Sequence, residues 1–239
     1  MIQSNAQTAA PGQTPAQPRP ARPVAPSVPP EFQAAGIMKL DSPELVKMLK
    51  DPAATRFQKS KACMRLAMVG TKDAVPALAA LLSDPLLSHY ARFALVPITD
   101  PSVDAALRAA LGTLKGQLLV GVIDSIGQRQ DPKAVDSLTK LMYGADADAA
   151  QAAIASLGRI SGPAATAALQ AGLAKTKDPL RNAVAAACLV CAEGLLSKGD
   201  RKQALGLYDR LSRPDIPKPV RLAAMHSTIA METAPGRPR

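Results

Sequence analysis

Tryptophan is absent from this 239-residue chain, and Phe, Tyr and Trp together make up only 3% of it. A core without large rings must be filled by Ala, Leu, Val and Ile, and hydrophobic residues nevertheless reach 47%. Such side chains suit closely packed helices, whereas sheets draw on β-branched and aromatic residues. The composition therefore predicts an all-α protein. Cysteine is scarce as well: Cys63, Cys188 and Cys191 are odd in number and each lies in an apolar, helix-like stretch, which excludes a disulfide framework. The apolar runs are too short to read as bilayer spans, and residues 1–30 lack the hydrophobic core of a secretory signal. As written, the chain is expected to be soluble and cytoplasmic with no membrane association; a signal upstream of Met1 would make it an exported protein.

Acidic residues are outnumbered, 19 against 29 Lys and Arg, but the excess lies at the ends. Residues 84–180 carry nine bases and nine acids, while residues 1–30 hold two Arg and no acid and residues 181–239 hold ten bases and five acids. A duplex-binding groove concentrates positive charge on the folded middle. A neutral middle disfavours nucleic acid as the partner.

Residues 1–30 contain eight Pro and six Ala, too little apolar surface to offset ordering entropy, and residues 1–36 are read as a disordered, partly polyproline II tail. From Ser42 the texture changes. Ser42-Pro43-Glu44 offers an N-cap, a Pro at the first helical position and an acid in the first turn, predicting a helix from about Pro43 to Lys50. Asp-Pro returns at 51, 84, 100, 131 and 178, and Gly-Pro at 162, so each Asp can cap a helix that begins with Pro.

Two markers advance together. Leu78, Leu107, Leu138 and Leu169 are separated by 29, 31 and 31 residues, and Gly70, Pro97, Gly127 and Gly158 by 27, 30 and 31. A period near 30 with two apolar runs per unit is the pattern of stacked helical hairpins. Within each hairpin the Gly, for example Gly127, is expected to end the first helix in a left-handed C-cap, and Asp131-Pro132 to start the second.

VGTKDAVPALAALLSD, SIGQRQDPKAVDSLTKLM and SLGRISGPAATAALQAGL resemble the short HEAT-like repeats first described in phycobilin lyases, over about Leu40 to Thr176. The resemblance implies an α-solenoid over residues 37–232, with second helices on the concave face. AEGLLSKGDRKQALGLYDRL is similar to a tetratricopeptide hairpin, making residues 180–217 a longer hairpin on the same stack. Residues 219–232 look like the first helix of a repeat that is never completed, and 233–239 like a disordered tail.

Catalytic signatures are missing. CLVC, from Cys188 to Cys191, has redox or zinc spacing but no second pair to complete a metal site, and reads as buried core. Hydroxylases resembling HEAT-like proteins depend on His-Glu dipeptides, which this chain lacks; no catalytic residue, metal or cofactor is expected. In SHYAR, His89 and Arg92 share a helix face with Tyr90 between them, placed to meet a carboxylate or phosphate together; the alternative reading has Tyr90, Phe93 and Leu95 packing inward while His89 and Arg92 fringe the solvent or bond to neighbouring loops. Asp104 with Arg108, and Asp136 with Lys140, are spaced for pairing within their helices. Arg108, Thr139 and Gln170 recur one repeat apart as a polar stripe on second helices. Val220, Leu222, Ala223, Met225, Ile229 and Met231 give the last helix an apolar set.

Together these features predict a non-catalytic scaffold that binds another protein, or its own copy through the C-terminal helix. The candidate contacts are His89, Tyr90, Arg92, Arg108, Thr139, Gln170, Val220, Met225 and Ile229. Nucleic-acid association and a lyase-like or regulatory enzyme subunit are the alternatives.

Overall fold

The computed structural model describes residues 34–233. Among them the chain forms thirteen helices and no strand: α1 (Ala34–Ile37), α2 (Ser42–Lys50), α3 (Arg56–Val69), α4 (Val75–Ala79), α5 (Ser88–Leu95), α6 (Pro101–Ala110), α7 (Gly116–Arg129), α8 (Val135–Met142), α9 (Ala147–Ile160), α10 (Pro163–Lys175), α11 (Leu180–Ser197), α12 (Arg201–Leu211) and α13 (Lys218–Thr233). Short 3-10 turns lead into α4 and α8. The expected disordered tails fall outside the described residues, except that residues 34–36 belong to α1 and residue 233 ends α13.

Local chemistry explains where the helices start. Asp41, rather than the expected Ser42, caps α2, in a reciprocal box with Glu44; Thr55 and Gln58 do the same for α3. Each box satisfies backbone donors that the first helical turn leaves open. The Asp-Pro rule holds in part. Asp100 caps α6 and Asp131 caps the turn into α8, but Asp51 follows the end of α2, and Asp178 precedes a cis bond to Pro179 with α11 starting at Leu180.

The helices form two layers. α3, α5, α7, α9, α11 and α13 are the first helices of successive hairpins, and α4, α6, α8, α10 and α12 the second. The four marker leucines, Leu78, Leu107, Leu138 and Leu169, are all fully buried between the layers, each contributing about 1.5–3 kcal/mol of transfer free energy. The first helices α7, α9 and α11 pack flank to flank, whereas α6 barely touches α8 and α10 barely touches α12.

The periodic glycines make that close packing, and here the structure corrects the expectation. Gly127 is buried inside α7, not at its end; the left-handed cap is Gln130, with φ of 54°. Bonds from Gln130 N to Gly127 O and from Asp131 N to Ile126 O close the helix, a Schellman arrangement. Gly127 is needed because α9 lies against it: an added Cβ would meet Ser156 Oγ at 2.5 Å and Ser156 Cα at 2.9 Å. Gly158 meets Ala187 of α11 in the same way. A glycine does take the left-handed position at Gly199, φ 85°, between α11 and α12, where Asp200 then caps α12.

α11 also qualifies the reading of the apolar runs. It is the one described helix long and apolar enough, by length and composition, to cross a membrane. It packs against α9, α10 and α12, burying Val184, Ala185, Cys188, Cys191, Ala192 and Leu195.

Candidate functional site

On the first-helix layer, a groove of about 660 Å³ runs over α3, α5 and α7. Three helix faces build it. Met64, Ala67 and Met68 come from α3, and Ser125 and Gln128 from α7. His89, Arg92, Phe93 and Val96 come from α5 and the residue that caps it, at the i, i+3, i+4, i+7 spacing that puts side chains on one face. Met38, just after α1, closes one end. The opposite face of α5, with Ser88, Ala91, Ala94 and Leu95, is buried in the stack.

Phe93 does not pack inward as expected. It is 59% exposed, and Met68 is 73% exposed, because the face of α5 that carries Phe93 looks away from the second helices and into the groove. Leu95 is buried as expected, and Tyr90 is half-buried against the core with its ring 3.8 Å from that of His89.

Arg92 lies between α5 and α7. Its Nη1 donates to Gly121 O at 3.1 Å, and its guanidinium occupies the space a Cβ on Gly121 would fill, 2.5 Å from Cζ. Burial pushes the pKa of this group down, and the charge of Asp124 partly restores it. Asp124 is itself engaged by Arg159 and by Gln128. His89 and Arg92 therefore do share a site, rimmed by apolar side chains.

A smaller trough, about 470 Å³, lies on the same layer over α9 and α11, lined by Ile154, Ala155, Ala183, Ala187 and Val190 with Gln151 and Arg159.

The second-helix candidates are placed differently. Arg108 reaches the turn of the next hairpin and pairs with buried Asp131. Thr139 Oγ1 donates to Val135 O of its own helix at 2.8 Å, and Gln170 is exposed on α10. Asp104 pairs with Arg129 rather than with Arg108, and no ion pair joins Asp136 to Lys140 among the described residues. The distance between hairpins is bridged by charge where the second helices stand apart.

The terminal helix is split between two faces. Ala224 and Met231 are buried and Val220 packs against the core, while Leu222, Met225 and Ile229 are exposed. The three cysteines are buried and unpaired; burial pushes the Cys63 and Cys188 thiols up to about 12 and raises that of Cys191. Among the described residues no three His, Cys, Asp or Glu side chains gather to hold a metal ion.

Sequence reasoning missed Met38, Met64, Met68 and the groove role of Phe93. First helices carry apolar residues on more than one face, so spacing alone does not separate a buried methionine from an exposed one.

Residues 103–189 match the family model for HEAT repeats. The match runs from α6 well into α11, so residues 103–189 carry HEAT repeats, and the hairpins on either side continue the same stack. No curated protein matches the sequence. Among solved structures, human deoxyhypusine hydroxylase in complex with glycerol is similar, at 14% identity over 80% of this chain and 96% of that one, with a TM-score of 0.43. Two engineered proteins are similar as well. One is 17% identical over 83% of this chain and 97% of its own, with a TM-score of 0.46. The other is 19% identical over 83% and 58%, with a TM-score of 0.44.

Proposed function

We propose that this HEAT-repeat chain is a non-catalytic scaffold that binds another protein along its first-helix layer. One observation carries the reading: Met68 and Phe93, large apolar side chains more than half exposed, stand together at a groove instead of being scattered. Contiguous exposed apolar surface on a soluble fold is where partners dock. The resemblance implies second helices on the concave face; the exposed apolar grooves, by contrast, lie over first helices. Both troughs lie on the first-helix layer.

The test is an affinity pull-down from native lysate with the full chain as bait, with and without nuclease, read by mass spectrometry. A protein recovered in stoichiometric amount after nuclease treatment is expected. If everything recovered vanishes with nuclease, the chain acts on nucleic acid and the scaffold reading fails.

A further inference from the structure

Arg92 is a half-buried cation without a direct counterion. No carboxylate of the described residues comes within ion-pair distance of it: its Nη1 bonds a backbone carbonyl, its Nε is buried with no acceptor, and Asp124 is already held by Arg159 and Gln128. The groove beside it is lined by no acid at all, and by Arg92 and His89 as its ionisable groups.

Resting on the scaffold reading above, we propose that the groove over α3, α5 and α7 takes an acidic amphipathic helix of a partner protein. Its apolar residues lie on Met38, Met64, Met68 and Phe93, and a carboxylate lies at Arg92 and His89. Three arguments select this occupant. Charge complementarity calls for an anion, and an incoming carboxylate supplies the countercharge a desolvated guanidinium lacks. Three methionines form an adaptable floor, the surface that receives amphipathic helices by their i, i+3, i+4, i+7 anchors. The exposure of Met68 and Phe93 leaves the groove open, which suits an element that brings its own cover and leaves a small molecule half solvated.

Other occupants fit less well. The chain's own residues 1–30 carry two Arg and no acid. The exposed stripe of α13 in a second copy is flanked by Arg221 and His226, again the wrong sign for Arg92.

The experiment is a display selection on the full-length protein, using amphipathic peptides of about 16 residues, four to five helical turns, with Asp, Glu, Lys and Arg all allowed on the polar face. The expected result is enrichment of acidic sequences whose affinity drops roughly tenfold or more in Phe93→Glu and Met68→Glu. Both side chains are exposed, and circular dichroism verifies that the variants keep their helices. Three results overturn the proposal: no enrichment; enrichment of basic or Pro-rich sequences like the chain's own N-terminal segment; or acidic peptides indifferent to both variants. The two readings fail separately. A lysate partner retained equally by wild type and Phe93→Glu leaves the scaffold standing and removes this groove, while a failed pull-down with groove-dependent acidic peptides does the reverse.

Discussion

A Cβ on Gly127 of α7 would stand 2.5 Å from the hydroxyl of Ser156 on α9, while that hydroxyl donates to Ile123 O at 2.9 Å. The two residues are 29 positions apart, and together they set the distance between first helices in the middle of the stack. Small residues recur at such contacts, with Gly158 against Ala187 and Gly194 against Ser161.

Gly127→Ala should therefore destabilise the protein, although alanine is the better helix former. The added methyl meets backbone as well as side chain, and overpacking of this kind costs about 1–3 kcal/mol. Gly206→Ala is the contrasting case. Gly206 lies within α12 with nothing near its Cβ position, so the same change should gain up to about 1 kcal/mol from helix propensity. Urea unfolding of both variants checks the pair, and a Gly127→Ala protein as stable as wild type would refute the close-packing account.

Arg129 ties two hairpins together. Its Nη1 donates to Val96 O at 2.8 Å and Ile98 O at 2.6 Å, beyond the end of α5, and its guanidinium forks onto Asp104 of α6. Arg129→Met leaves those carbonyls and the partly buried carboxylate unpaired, for an expected loss of roughly 3 kcal/mol. Arg129→Lys keeps the charge without the fork and should fall between. Chemical unfolding measures both, and equal stability of the Met variant and wild type would remove Arg129 from this role.

Asp215 predicts a pH dependence. It accepts from Arg210 and Arg181, joining the loop before α13 to the start of α11. The Arg210 hydrogen bond is the main cause that lowers its carboxyl pKa to about 2; slight burial opposes this and Arg181 adds to it. An unfolded Asp titrates near about 3.9, so on acidification the unfolded chain takes up the proton first. The stabilisation is therefore full above about pH 4 and is lost as pH falls toward about 2. The stability difference between wild type and Asp215→Asn should shrink across that window; a difference constant from pH 6 to pH 2 would contradict the linkage.

Much of the fold was legible because repetition amplifies weak signals. The leucines at 78, 107, 138 and 169 mark the interior of four successive hairpins, and periodic burial needs no long-range information. The role of Gly127 was not legible. A glycine near a helix end reads the same whether it relieves φ strain or admits a neighbouring helix, and only Ser156, 29 residues away, decides which. His89 and Arg92 were found because four aromatic or charged residues in SHYAR and the next position are dense in a chain poor in both. Met64 and Met68 were not, since an exposed methionine on a helix with apolar residues on several faces has the same spacing as a buried one. Charge pairs were misplaced for a related reason: Asp104 and Arg108 are spaced to meet, but partners in the next hairpin, Arg129 and Asp131, take them instead.

The most direct test of partner binding through the first helices is site-specific photo-cross-linking in native lysate, with the reactive amino acid placed at Phe93 in one full-length protein and at Gln170 in another. A discrete protein adduct from position 93 and none from position 170 is the predicted result. An adduct from position 170 alone would put recognition on the second helices, and contradict the account.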